Sequence, residues 1–290
     1  MLFFTQKGKC YWLKVYEIPE GAKNSKGRAI QNMLNIDADD KVNAFIRVKQ
    51  LQDPEYNMSH NLLFCTRKGV IKKTKLEAYS RPRQNGVNAI TIREDDQVIQ
   101  VRLTTGDSQI IMANKHGRAI RFHESTVREM GRTATGVRGM TLDETGDDEV
   151  IGMICIKDPE KETVMVVSEQ GYGKRSEIED YRITNRGGKG VKTLNITEKT
   201  GNLVAIKSVT DENDLVIINK SGITLRMKVA DVRIMGRATQ GVRLINLEKR
   251  NDEIASVCKV LSETESDSSN SENIDSASEI NEAEASETTE

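Results

Sequence analysis

Chemistry on a phosphate is what the most distinctive stretch of this 290-residue chain could do. Asn185-Arg186-Gly187-Gly188-Lys189-Gly190 combines clustered glycines, which let a backbone approach an anion, with two side chains that supply positive charge. A tight loop that merely carries two bases explains the same residues without a ligand. No Gly-x-x-x-x-Gly-Lys-Ser/Thr occurs, so a P-loop ATPase is unsupported. Tyr172 and the pair Tyr181-Arg182 could be imagined attacking a phosphodiester, yet neither has acidic neighbours spaced to hold magnesium. His60, His116 and His123 read as too few and too far from carboxylates or thiolates to build a metal site or a triad. The expectation is a chain with no catalytic residue, metal or cofactor of its own.

The remaining bases gain meaning from their spacing. Glycines recur in pairs: Gly8 with Gly27, Gly69 with Gly86, Gly117 with Gly136, Gly171 with Gly190 and Gly222 with Gly241. The internal distance is 19 residues in four copies and 17 in the second. Four residues past the first glycine stand Lys73, Arg121, Arg175 and Arg226, with Trp12 in the first copy. Around the second glycine lie Lys23, Lys26 and Arg28, then Arg81 and Arg83, Arg132 and Arg138, Arg186, Lys189 and Lys192, and finally Arg233, Arg237 and Arg243. Equivalent positions of units arranged about an axis share one rim, so these bases are expected to form a curved positive track for double-stranded DNA. With roughly six to ten phosphate contacts, affinity would fall ~10³ to 10⁵-fold between 50 and 200 mM salt. No helix or aromatic pair suited to reading bases is evident, so such a rim would bend DNA and select sites by deformability. The rival reading is that repeated Lys and Arg only keep exposed sheet edges soluble.

The elements that must position these bases are short strands. In the second copy Leu62-Leu63-Phe64-Cys65 reads as a buried strand and Thr66-Arg67-Lys68-Gly69 as a hairpin turn. A strand over 70–79, a third over 87–92 and a fourth over 98–103 follow, enough for one propeller blade. Repeats of about 50 residues that cannot bury their own cores alone signal a radial or stacked architecture. The fold is therefore expected to be all-β, a propeller-like disc of about five to six four-stranded blades, with repeats at 2–50, 61–105, 109–158, 163–211 and 214–260. A short helical turn is allowed near Ser125–Met130 and Val229–Met235, ended by Gly131 and Gly236. No strand precedes Leu2 to close the ring, unless Ile254 to Val260 supplies the closing partner.

Composition divides the chain in two. Residues 261–290 hold ten acidic side chains and no basic one, whereas residues 1–260 hold all 43 Lys and Arg against 34 Asp and Glu. The tail has too few large apolar residues to repay ordering and is expected to be disordered. It is either a solubility appendage or a competitor of nucleic acid for the basic body. Cys10, Cys65, Cys155 and Cys258 lie far apart in or beside apolar strands and read as reduced residues of a cytoplasmic protein. The apolar opening Met1-Leu2-Phe3-Phe4 stops at Gln6 and Lys7, too soon for a signal peptide.

Four peptides carry a family resemblance: Tyr11-Trp12-Leu13-Lys14-Val15-Tyr16-Glu17-Ile18-Pro19, Ser125-Thr126-Val127-Arg128-Glu129-Met130-Gly131-Arg132, Gly171-Tyr172-Gly173-Lys174-Arg175 and Gly236-Arg237-Ala238-Thr239-Gln240-Gly241-Val242. Across residues 2–260 the chain resembles the C-terminal DNA-wrapping domain of the bacterial DNA gyrase A protein. The resemblance implies a β-pinwheel, a disc whose neighbouring blades exchange strands and whose basic rim binds DNA. It also implies partners, the gyrase A cleavage domain and the ATP-hydrolysing gyrase B protein, with which the wrap supports negative supercoiling. The family's Gln-Arg-Arg-Gly-Gly-Lys-Gly box belongs to a blade that would precede Met1; residues 186–190 match its last five positions in a later blade. The cleavage domain is missing too, so this chain is expected to be a fragment that neither cleaves nor supercoils DNA unaided. The topoisomerase IV C-terminal domain shares the fold, and a propeller scaffold for protein partners is the alternative of another class.

Overall fold

A glycine turn joins each pair of leading strands, and its first residue explains why the chain turns there. Thr5 Oγ1 accepts the Lys9 N–H at 3.1 Å and Thr66 Oγ1 the Val70 N–H at 3.1 Å. Asn114 Oδ1 does the same for Arg118, and Asn219 Oδ1 for Ile223. The computed structural model describes residues 1–22, 25–144, 146–247 and 252–262. Lys23 and the acidic tail from residue 263 onward lie outside them.

The first repeat forms β1 (Leu2–Thr5), β2 (Lys9–Trp12) and β3 (Val42–Ile46). The second forms β4 (Asn61–Thr66), β5 (Val70–Lys75), β6 (Val87–Asn88) and β7 (Val98–Thr104). The third forms β8 (Gln109–Asn114), β9 (Arg118–His123), β10 (Val137–Arg138) and β11 (Val150–Ile156). The fourth forms β12 (Thr163–Ser168), β13 (Tyr172–Glu177), β14 (Val191–Lys192) and β15 (Leu203–Val209). The fifth forms β16 (Asn213–Asn219), β17 (Thr224–Lys228), β18 (Val242–Arg243) and β19 (Ile254–Leu261). The fold is all-β and propeller-like, with four four-stranded sheets and a three-stranded fifth among the described residues.

No sheet is built from one repeat alone except the last. β6 pairs with β2, β10 with β5, β14 with β9 and β18 with β13, so each repeat lends its short strand to the blade before it. That corrects the reading of one repeat as one whole blade, and it is the strand exchange the pinwheel resemblance implies. The lent strand is also only two residues long, not the six expected over 87–92. β19 pairs with β16 of its own repeat and not with β3, so it is not the closing partner; among the described residues no strand is lent to β17.

Core packing follows the same logic. Leu2, Phe4 and Ile46 of the first repeat pack with Leu62, Phe64 and Tyr79 of the second. Three further clusters join the second to the third, the third to the fourth and the fourth to the fifth. Strands covered by a blade on both sides bury every residue, as β4 and β12 do, and lose the alternation of a half-exposed strand. β17, in the last blade, keeps it. The helical turns expected near Ser125 and Val229 are 3-10 turns, Glu124–Thr126 and Val229–Asp231. One α-helix, Pro54–Ser59, lies outside the sequence expectation; Asp53 caps it by accepting from the Glu55 and Tyr56 N–H groups, and Asp-Pro is its sequence signal.

Candidate nucleic-acid interface

Bases that share a register divide into two groups once the blades are assembled. The group four residues past the first glycine turns into the seams between blades. Lys73 Nζ donates to the Glu124 carbonyl at 3.3 Å. Arg121 Nη1 donates to the Ile178 and Tyr181 carbonyls at 2.8 and 2.9 Å, and Arg175 Nη1 to that of Val229 at 3.2 Å. Trp12, in the same position of the first repeat, donates Nε1–H to the Tyr79 carbonyl at 2.9 Å. Each acceptor belongs to the 3-10 turn of the next repeat or the residue closing it. Lys73, Arg121 and Arg175 are 7%, 3% and 4% exposed, so the structure removes them from the expected rim. Arg226, in the last repeat of the described residues, lies exposed and donates to Asp214 at 2.8 Å.

A second set ties down the loop before the second glycine. Arg132, Arg186 and Arg237 stand four residues before it and are all half-buried. Arg132 Nη1 donates to the Ala78 carbonyl at 3.2 Å and Arg186 Nε to the equivalent Thr126 carbonyl at 3.0 Å. Arg186 Nη1 and Arg237 Nη1 reach the carbonyls of Arg138 and Lys192 at 3.0 and 2.9 Å. Below these loops lie two lysines outside the expected set, Lys72 and Lys174. Lys72 Nζ donates to the carbonyls of Ala89 and Arg132, and Lys174 Nζ to that of Gly236. Burial, reinforced by Arg132, pulls the Lys72 ammonium down to about 7; burial pulls Lys174 down to about 8. Only their place one residue before the seam bases could have marked them.

In the box-like loop at Arg186, Gly187, Gly188, Lys189 and Gly190, packing requires the last glycine and a φ of +87° favours the first, while Gly188 has room for a side chain. Gly190 has φ +73°, and a Cβ there would sit 2.3 Å from the Ala119 carbonyl oxygen. The Gly187 N–H donates to the Gly139 carbonyl at 2.7 Å, and Thr141 Oγ1 donates to the Gly187 carbonyl. Lys189 is exposed.

What remains at the perimeter is a smaller positive set. The lent strands β10, β14 and β18 form the edge of each sheet opposite its innermost strand, and their second residues are Arg138, Lys192 and Arg243, all exposed. Lys192 Nζ donates to Asn195 at 3.2 Å, and the Arg243 guanidinium lies against Tyr172, donating to its hydroxyl oxygen. Arg128, Arg182 and Arg233 add a second exposed series, each immediately after a buried residue that closes a 3-10 turn. Arg128 and Arg182 stand eleven residues past the first glycine, as Arg233 does, so they share the glycine register although the sequence reading did not count them with the rim. Arg81 and Arg83 are exposed and line, with Arg132, an open groove of about 620 Å³ between the second and third blades. Arg83 and Arg132 continue into a smaller one of about 260 Å³ beside Lys9 and Asn88. Both grooves are open and lined by arginines, which suits a backbone phosphate better than an enclosed substrate.

His116 departs from the sequence expectation. Its Nδ1 lies 3.2 Å from an Asp143 oxygen and its Nε2 3.4 Å from Asp147. Partial burial opposes its charge, but Asp143, Asp148 and Asp147 together raise its pKa above the ordinary value. His116, Asp143 and Asp148 bring three ligand atoms within 4.8 Å of one another. Asp148 is already engaged, accepting from Asn114 Nδ2 at 2.7 Å and from the Asp143 N–H at 3.0 Å. Asp148 Oδ1 accepts the His116 N–H at 3.4 Å, as Asp40 accepts that of Lys7 and Asp96 that of Lys68, so the carboxylate is a repeated clamp on the glycine turn.

Comparison with known proteins agrees with this architecture repeat by repeat. The family described as DNA gyrase C-terminal domain, beta-propeller, matches residues 1–49, 60–105, 108–157, 162–210 and 213–258. The DNA gyrase A protein of Staphylococcus aureus (strain NCTC 8325 / PS 47) is 45% identical over 272 residues, 94% of this chain and 30% of that protein. The chain thus spans under a third of the length of that relative. The crystal structure of a topoisomerase IV C-terminal domain superposes with a TM-score of 0.80 at 27% identity, covering 90% of this chain and 78% of the other. A DNA gyrase A C-terminal domain superposes at 0.76 with 25% identity, covering 90% and 82%. With all five repeats matched, the chain belongs to the DNA gyrase C-terminal domain family.

Proposed function

We propose that this chain binds double-stranded DNA along its perimeter and bends it, as the wrapping part of a gyrase A protein. The observation that carries the reading is the exposed, in-register series Arg138, Lys192 and Arg243 on the lent strands, with Arg128, Arg182 and Arg233 beside it. Regularly spaced cations on a curved edge match regularly spaced phosphates, and neutralising them releases counterions. Contacts of this kind position a duplex without reading its bases, so sequence preference would arise from deformability. In the complete enzyme the wrap would act with a cleavage domain and the gyrase B protein during ATP-dependent supercoiling in the cytoplasm; this chain contributes no reaction of its own. Among the described residues no helix is long and apolar enough to cross a membrane.

The test is the linking number of a nicked plasmid religated with the chain bound at low salt. A shift supports chiral wrapping by these blades. Binding with no shift would leave bending but overturn wrapping. The higher TM-score to a topoisomerase IV domain keeps that relative as the second reading, and strong wrapping favours gyrase over it. Weak, salt-insensitive DNA affinity would instead favour a protein scaffold.

A further inference from the structure

A 3-10 turn begins seven residues past the first glycine in every repeat, yet the second repeat reaches its second glycine two residues early. The shortfall therefore lies in the loop Ser80-Arg81-Pro82-Arg83-Gln84-Asn85, between the turn Leu76–Tyr79 and Gly86. Pro82 fixes its own φ and holds Arg81 extended, so the two arginines beside it have little backbone freedom to lose. The groove of about 620 Å³ opens beside this shortened loop. Arg81 and Arg83 stand on one wall, and Glu129 and Arg132 of the third repeat on the other.

Both walls are fixed by main-chain bonds. The Gly86 N–H donates to the Arg83 carbonyl at 3.0 Å, and the Met130 N–H to that of Lys73 at 2.8 Å. Arg132 Nη1 ties one wall to the other through the Ala78 carbonyl at 3.2 Å, while its Nε is buried with no hydrogen-bond partner. The neighbouring lysines are already answered, Lys75 by Glu129 at 3.0 Å and Lys9 by Asp37 at 2.7 Å. Among the described residues no carboxylate pairs with Arg81, Arg83 or Arg132. Glu77 also lines the larger groove but is exposed, and the smaller groove, which shares Arg83 and Arg132, is lined by no acid.

A buried guanidinium donor without an acceptor is costly, and an anionic oxygen in the groove would supply one. The planar fork of arginine matches the paired oxygens of a phosphate, a fit that diffuse surface charge does not give. We propose that this groove is a phosphate site that seats a backbone phosphodiester of the duplex among Arg81, Arg83 and Arg132, and so anchors DNA at the second–third seam. Resting on the DNA reading above, the site adds one fixed point to the path. It is separate from the lent-strand series, since Arg138, Lys192 and Arg243 line neither groove.

The experiment is short-duplex binding by the full chain across a range of salt, with inorganic phosphate in place of DNA as a second arm. Arg81 and Arg83 are exposed, so their replacement leaves the core intact. Arg81→Gln/Arg83→Gln should bind the duplex roughly tenfold or more weakly at low salt, with a log–log salt slope about two smaller in magnitude. Arg81→Lys/Arg83→Lys, which keeps the charge but loses the fork, should keep the slope and lose several-fold in affinity. Wild-type affinity in the glutamine pair overturns the proposal; so does wild-type affinity in the lysine pair, because diffuse charge then suffices. Where Arg138→Gln/Lys192→Gln/Arg243→Gln weakens binding and the glutamine pair does not, the anchor fails and the DNA reading stands; where neither weakens it, both fail. In the second arm, a thermal midpoint raised by phosphate over chloride of equal ionic strength in the wild type, and not in the glutamine pair, shows that the groove also takes the free anion. A response to DNA alone assigns the groove to the backbone.

Discussion

At the scale of single residues, a base in this fold is a strut or a contact according to what covers it. Arg121 is a strut: its side chain is 2% exposed, and its guanidinium serves two carbonyls of the next repeat and Gln109 Oε1. Arg121→Met should cost about 3 kcal/mol or more in denaturant unfolding, because two buried carbonyls lose their donor. A loss under about 0.5 kcal/mol, as for an ordinary surface change, would contradict that role. His116 gives a second residue-scale prediction. Its pKa is raised in the folded state, so its stabilisation is fully present below the unfolded value near 6.5 and is lost as pH rises through the folded value. Stability of the wild type between about pH 5.5 and 8.5 should therefore fall relative to His116→Gln; parallel profiles would sink the idea.

Among the elements, the glycine turns and the lent strands decide what the sequence could reveal. The paired glycines were legible because all ten take a positive φ and most of them also meet the backbone of a neighbouring blade; Gly27 and Gly222, with nothing within 4 Å of a Cβ, are required by the turn alone. Gly190→Ala should lower stability by more than about 2 kcal/mol, since φ is positive and the added methyl meets the Ala119 carbonyl. Gly236→Ala, with nothing within 4 Å of its Cβ, should stay within about 0.5 kcal/mol; equal losses in urea titrations would contradict the packing argument. Arg121 and Arg175 were legible as in-register but not as buried. Alternation along a strand tells which side a residue takes, not whether another blade covers that side, and β9 and β13 are covered on both. The same limit hid Lys72 and Lys174. His116 was misread because Asp143, Asp147 and Asp148 lie a whole hairpin away in sequence.

For the whole molecule, charge is the organising quantity. The basic body and the acidic residues 261–290 carry opposite signs, so removing residues 263–290 should tighten DNA binding most at low salt, where screening is least. Equal affinities of the two forms at low ionic strength would assign the tail no part in binding. The seam cations hold one blade to the next, and the perimeter cations face solvent, so the two sets should separate by experiment. The most direct measurement is the salt dependence of duplex DNA binding by Arg138→Gln/Lys192→Gln/Arg243→Gln beside the wild type. Phosphate contacts by all three predict weaker binding and a log–log salt slope reduced in magnitude by about three. An unchanged slope and affinity would contradict the account and move DNA off the lent strands.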